Sequence, residues 1–285
     1  MKKRFIGSAV SGPLTGKSLA DKDFRFVHSD GVPTNDWQRI ARGELLGQIV
    51  HGFLSSEECK RIRENFEKSP ALRNRTDGVP GETLGVDLYK SDPQDYIANT
   101  LEVKADLGRL FLGTLNVPLH LRESLQRTLP SGSAIRPAVH DGIEYNEVRG
   151  IRWTDNGKYS LKFHDDQAQL CDPRHERLET YRIDFPVAFN VYPSVSETGG
   201  GLKVYNIAPD EATRERLGLD YTGYPYPDEL LEPFESLLVE PEPGDLVILS
   251  GRYIHGVTGI GGHTPRILLN HFGGFIDPTT FVTWS

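Results

Sequence analysis

Apolar positions along the chain follow a helical period in the first half and a strand-like pattern in the second. Cys59, Ile62 and Phe66 fall on one face of a segment whose other face carries lysines and arginines, the spacing of an amphipathic helix. Ser55-Ser56-Glu57-Glu58 places a hydroxyl and, three residues on, a carboxylate ahead of that segment, a capping box that marks the helix start. Ile97, Leu101, Leu107, Leu110 and Phe111 predict a helix within 93–115, and Leu119–Leu129 predicts another after Pro118. Gly47–Leu54 reads as a short strand, and residues 74–86, rich in Gly, Pro, Asp and Thr, read as a loop. From about residue 133 the chain breaks into short runs separated by turn residues. Tyr159–Phe163, Tyr181–Tyr192, Leu202–Tyr205, Leu246–Leu249 and Arg266–Phe272 are the expected strands. Gly199-Gly200-Gly201 and Glu242-Pro243-Gly244-Asp245 are turns between them. Helices first and strands later give an α+β chain. Many short strands at this spacing suggest an antiparallel sandwich or barrel.

This pattern divides the chain simply. Residues 1–20 are expected to be a flexible tail, because the apolar run after Met1-Lys2-Lys3-Arg4 is too short for a secretion signal and Gly12-Pro13 breaks it. Residues 21–285 are expected to form one domain, with a helical part over 47–130 and a strand-rich core over 133–285. The polar, Tyr- and Pro-rich segment 209–236 interrupts the strands and reads as an insertion or lid. A chain of 285 residues supplies a sizeable core. The net charge of −8 argues against non-specific nucleic-acid binding, and no apolar run approaches a membrane span. Only two cysteines occur, Cys59 and Cys171, which fits a reducing compartment and a cytoplasmic location. The expected partner is a small-molecule substrate, with no nucleic acid and no membrane, and the chain leaves room for a homodimer.

The chemistry concentrates in a few positions. Residues i and i+2 of a strand point the same way, so His164 and Asp166 of Phe163-His164-Asp165-Asp166 project together and Asp165 projects away. One imidazole and one carboxylate are two corners of the facial triad that suits iron(II) oxygen chemistry. His255, 91 residues on, is the best third corner. It follows the Pro243-Gly244-Asp245 turn, a strand and Gly251-Arg252-Tyr253-Ile254. Arg266 comes eleven residues later, where a guanidinium can grip a carboxylate through two parallel hydrogen bonds. A lone His-x-Asp pair is common by chance. The order of His-x-Asp, glycine-rich hairpin, Pro-Gly-Asp turn, strand, His and Arg gives the pair its weight.

This order resembles the iron(II)/2-oxoglutarate-dependent oxygenase superfamily. Gly199–Asn206, Pro243-Gly244-Asp245, Gly251–His255, Pro265-Arg266 and Trp284-Ser285 resemble the carrier-independent aliphatic halogenases of welwitindolinone type and the related N-succinyl amino-acid hydroxylases. The Ile49–Phe53 stretch with its following helix is similar to their N-terminal region. The resemblance implies a double-stranded β-helix (jelly roll) with N-terminal helices packed on it. It also implies Fe(II), 2-oxoglutarate as cosubstrate, O2, and hydroxylation of an unactivated C–H bond with release of succinate and CO2. It places the iron ligands at His164, Asp166 and His255 and the 2-oxoglutarate arginine at Arg266. Asn190 matches a 2-oxoglutarate-contacting position in related barrels, where a structural hydrogen bond fits equally well. In the halogenases the carboxylate position of the triad is a glycine that leaves room for chloride. Asp166 departs from that pattern and implies hydroxylation.

For the substrate, Arg75, Arg152 and Trp153 suggest an anion clamp beside an aromatic wall. The expected substrate is a small polar molecule such as an amino acid, an acylated amino acid or a nucleotide. Ordinary ion pairs at both arginines are the competing reading, with a bulky alkaloid or terpenoid as the competing substrate. A halogenase, desaturase, epimerase or ring-forming oxidase on the same iron stays open, as does a non-catalytic cupin-like binding protein.

Overall fold

The computed structural model describes residues 12–75, 79–89, 91–153 and 157–285. In order these form β1 (Phe26–Asp30), α1 (Asp36–Ile40), β2 (Gly47–His51), α2 (Ser56–Glu67), β3 (Arg73–Asn74), β4 (Gly81–Leu84), α3 (Pro93–Leu110), α4 (Val117–Gln126) and β5 (Ala134–Pro137). The second half gives β6 (Arg149–Trp153), β7 (Tyr159–His164), β8 (Val187–Ser194), β9 (Leu202–Tyr205), α5 (Glu211–Leu217), β10 (Ser236–Val239), β11 (Leu246–Ser250), β12 (His255–Thr258), β13 (Arg266–Phe275) and β14 (Thr280–Trp284).

The strands build two main sheets. The larger runs β1-β2-β11-β8-β13-β6-β4-β3, with β14 on β13 and β5 on β14. The smaller runs β7-β12-β9-β10. Central strand β8 is buried along its whole length, and its alternation separates two environments. Val187, Phe189 and Val191 pack in one apolar cluster with Cys59, Ile62 and Phe66 of α2. Asn190 and Tyr192, on the opposite face, line a cavity. Leu161, Leu202 and Val257 of the smaller sheet line the same cavity, so the two sheets face each other across it, and α1–α4 pack on the outer face of the larger one.

The capping box forms as the sequence predicts. The Glu58 N–H donates to Ser55 Oγ at 3.3 Å, and the Ser55 N–H donates to the Glu58 carboxylate at 2.7 Å. The buried face of α2 is Cys59, Ile62 and Phe66. Burial of each large apolar side chain stabilises the fold by about 1.5–3 kcal/mol, which fixes α2 against β8.

Three expectations need correction. The 74–86 loop contains β4, whose Gly81–Leu84 backbone pairs with Trp153–Gly150 of β6. Its polar composition hid a strand whose partner is far away in sequence, and residues 76–78 lie outside the described residues. The Tyr181–Tyr192 strand begins only at Val187. Tyr181 closes a turn onto the Leu178 carbonyl, and Arg182 takes a positive φ of 58°, a conformation that strand pairing cannot use. The expected tail over 1–20 docks where it is described: Leu14 is buried and Gly16–Lys17 pairs with Ala208–Pro209. Residues 1–11 lie outside the described residues.

Candidate active site

His164 ends β7 and His255 opens β12, and the two lie directly opposite each other in the antiparallel register. Their ring centres are 4.2 Å apart. Asp166 sits just past the end of β7, where its N–H donates to the Gly251 carbonyl at 2.7 Å. Gly251 is required there, because a Cβ would come within 2.8 Å of Asp166 Oδ2 and 2.9 Å of Asp166 Cβ. The Asp166 carboxylate stands 3.7 Å from His164 Nε2 and 3.5 Å from His255 Nε2. One ligand atom from each of the three residues lies within 4.8 Å of the other two, a spacing that can hold one metal ion.

The hydrogen bonds around the triad prepare it for a cation. His164 Nδ1 donates to the Lys162 carbonyl at 3.0 Å, and His255 Nδ1 donates to the Tyr253 carbonyl at 2.8 Å. This fixes the tautomer and leaves both Nε2 lone pairs facing Asp166. Burial pushes the His164 and His255 pKa values down, and the neighbouring imidazole adds to the shift at His164. Burial, with help from Asp165, pushes the Asp166 carboxyl up to about 8. Asp166 Oδ2 is buried with no hydrogen-bond partner among the described residues. Two neutral imidazoles around an unsatisfied, desolvated carboxylate form a donor set that a divalent cation would complete.

The Asp165 carboxylate, just past the end of β7, is bonded elsewhere. Its Oδ1 accepts from the N–H groups of Gln167 and Ala168 at 3.0 and 2.9 Å, and its Oδ2 accepts from the Tyr226 hydroxyl at 2.7 Å. The Gly223 carbonyl accepts from the Asp165 N–H at 3.1 Å. Part of the segment 209–236 is therefore bonded to the strand end that carries the triad, and its Thr222 and Tyr224 line the cavity.

Arg266 opens β13 and is 1% exposed. Its Nε donates to the Gly200 carbonyl at 3.0 Å. The glycine-rich hairpin allows this approach: Gly200 has φ 73°, and a Cβ there would meet Arg266 Cδ at 2.9 Å. Tyr192 lies beneath the guanidinium, 5.2 Å from its carbon to the ring centre. Burial lowers the Arg266 pKa, and Tyr192 opposes the shift. Among the described residues Nη1 is buried without a hydrogen-bond partner, and no carboxylate pairs with this arginine. A desolvated guanidinium facing a cavity without an acidic partner is arranged for an anionic ligand.

The other expected residues divide. Trp153 is buried in the cavity wall and Arg75 lines the same cavity, its guanidinium carbon 4.9 Å from the Trp153 ring centre. Asn190 also reaches the cavity, where its Oδ1 accepts from Asn270 Nδ2 at 3.0 Å. Arg152 is corrected. It alternates away from Trp153 and pairs with Glu82, the residue opposite it on β4. The alternation that turns Trp153 inward also turns Ile151 and Arg149 inward, and Arg149 was overlooked in the sequence. Arg149 pairs with Asp87 and donates through Nη2 to Asn270 Oδ1 at 3.3 Å. Asp87 carries no local motif, so its place in the cavity was not readable from the chain.

Comparison with known proteins identifies the family. The family model described as "Carrier-protein-independent halogenase WelO5" matches residues 28–279. L-isoleucine 3(1)-dioxygenase of Pantoea ananatis (strain AJ13355) is 29% identical over 250 residues, 83% of this chain and 82% of that protein. The crystal structure of an N-substituted L-amino acid dioxygenase from Burkholderia ambifaria AMMD superposes with a TM-score of 0.58 at 12% identity, covering 88% of this chain and 90% of that one. Its complex with α-ketoglutarate gives a TM-score of 0.56 at 11% identity, over 87% and 90% of the two chains. These last two matches show a shared fold. Family membership removes the alternative of a non-catalytic cupin-like binding protein. With a match across most of its length and a His-Asp-His set suited to iron, the chain belongs to the carrier-protein-independent halogenase WelO5 family and is an iron(II)- and 2-oxoglutarate-dependent oxygenase.

Proposed function

We propose that this oxygenase hydroxylates an unactivated C–H bond of a small aliphatic amino acid or amino-acid derivative. The observation that carries the reading is the single cavity that holds both the His164–Asp166–His255 set and Arg266. In this reading His164, Asp166 and His255 bind iron through two Nε2 atoms and one carboxylate. Arg266 grips the distal carboxylate of 2-oxoglutarate, supported by Tyr192, and Asn190 offers its Nδ2 amide to the same ligand. When bound, iron(II), 2-oxoglutarate and oxygen together supply an oxidant strong enough to remove hydrogen from carbon. The chain's own contribution is position and dryness. The imidazoles cannot rotate because their Nδ1 groups are tied to carbonyls, and apolar walls such as Leu161, Val257 and Leu268 keep bulk water from the reacting carbon.

Asp166 supports hydroxylation over halogenation despite the family's name. Its carboxylate stands where the halogenase glycine leaves a coordination place for chloride, and it puts a negative charge against an incoming anion in a low-dielectric pocket. The relative from Pantoea is itself named a dioxygenase, which supports the same outcome and an amino-acid substrate. The two facing sheets and the shared fold support a double-stranded β-helix (jelly roll) core in one domain, with 209–236 as its lid. Both cysteines are free, which supports a cytoplasmic location. No helix among the described residues is long and apolar enough to cross a membrane.

The test is to supply the purified protein with iron(II), oxygen, 2-oxoglutarate and, one at a time, the common L-amino acids and their N-acyl derivatives. Succinate formation is expected to rise above the uncoupled rate with at least one aliphatic member of the panel. Stimulation only by large, non-amino-acid compounds would contradict the substrate class.

A further inference from the structure

We propose that the Asp87–Arg149 pair on the cavity wall reads the zwitterionic head of a free α-amino acid, the ammonium against Asp87 and the carboxylate against Arg149. This rests on the amino-acid reading above and goes further, because it separates free amino acids from N-acylated ones. Arg149 is the inward residue two positions before Ile151 on β6, and Asp87 lies in the connection between β4 and α3. Both line the cavity that contains the triad. Their side chains keep 11% and 26% exposure respectively, so the pair is not sealed in the core.

Both groups are held in place. Asp87 Oδ1 accepts from the Tyr89 N–H at 3.0 Å. Arg149 is tied through Asn270 to Asn190. Asp87 and Arg149 share the lining of one cavity with His164, Asp166 and His255, so a head group bound here occupies the same space as the triad. The walls beyond it, Ile151, Val257 and Leu268 among them, suit an aliphatic side chain.

An ion pair facing a cavity is a dipole. A zwitterion is the complementary dipole, and seating it adds two charge-assisted hydrogen bonds without bringing net charge into a desolvated space. An N-acyl amino acid presents a neutral amide and extra bulk to Asp87, and its carboxylate adds an uncompensated negative charge beside Asp166. The predicted preference follows the free amino acid named in the Pantoea relative and departs from the N-substituted one named in the Burkholderia structure.

The experiment is an anaerobic calorimetric titration of the protein loaded with iron(II) and 2-oxoglutarate. The probes are the common L-amino acids, starting with L-isoleucine, and their N-acetyl counterparts. At least one free aliphatic amino acid is expected to bind, with its N-acetyl form at least ~10-fold weaker, the loss of one charge-assisted hydrogen bond. Asp87→Asn, which keeps an oxygen for Arg149 but removes the charge, is expected to shrink that gap. Equal or tighter binding of the N-acetyl form, binding of no free amino acid, or full discrimination in a folded Asp87→Asn variant overturns the proposal. The wild-type comparison decides alone if that variant does not fold. Failure of the wild-type protein to bind 2-oxoglutarate counts instead against the oxygenase reading.

Discussion

Replacing Arg266 with alanine is expected to raise the 2-oxoglutarate concentration needed for half-maximal succinate formation by about two to three orders of magnitude. The side chain is 1% exposed, its Nε is fixed on the Gly200 carbonyl, and its Nη1 has no hydrogen-bond partner among the described residues. A ligand carboxylate entering that end of the cavity has no other described arginine on β13 or β8 to meet it. Leaving one member of a buried charge pair alone costs about 3–5 kcal/mol, and each ~1.4 kcal/mol is a factor of ten in binding. Arg266→Lys should recover part of the loss, since it restores the charge without the planar fork. An unchanged 2-oxoglutarate constant in Arg266→Ala would remove this residue from the site.

The second large effect is expected at Asp166. Asp166→Gly should weaken iron(II) binding by more than ~100-fold, because losing even an outer partner of a metal ligand costs ~10–100-fold and Asp166 is the only carboxylate of the set. Hydroxylation should fall with it. Direct metal titration separates this from a folding defect: the variant removes a buried, unsatisfied carboxylate oxygen and leaves His164 and His255 paired across β7 and β12. An iron affinity equal to wild type would show that Asp166 is not a ligand.

Much of this was legible from the chain because the site is built on regular strands. The two-residue period of β8 sends Phe189 to the helices and Asn190 to the cavity, whereas β7 carries register shifts before His164, and Asp165, just past its end, turns its carboxylate to the Tyr226 hydroxyl. The capping box placed α2 because it is a local device with its partners three residues apart. Position depends less on local signals elsewhere. β4 is a strand because Gly150–Trp153 lies alongside it, and nothing in the polar sequence around it shows that neighbour. Adjacency to Trp153 in the chain does not bring Arg152 to the cavity, because alternation on β6 turns it to Glu82 and turns Arg149 inward. Asp87 and Gly251 carry their roles through distant contacts, with Arg149 and Asp166 respectively. Only the assembled sheets bring those contacts together.

The family is described by a halogenase, yet the resemblance to halogenases puts Asp166 where they would carry a glycine, and the proposed outcome is hydroxylation. Hydroxylation and halogenation differ in which atom reaches the substrate. The direct measurement is high-resolution mass spectrometry of the product formed by the unmutated protein with iron(II), 2-oxoglutarate, oxygen and an amino-acid substrate in chloride or bromide buffer. A product heavier by one oxygen atom, formed with succinate, is the expected result. A product carrying a halogen isotope pattern would contradict it.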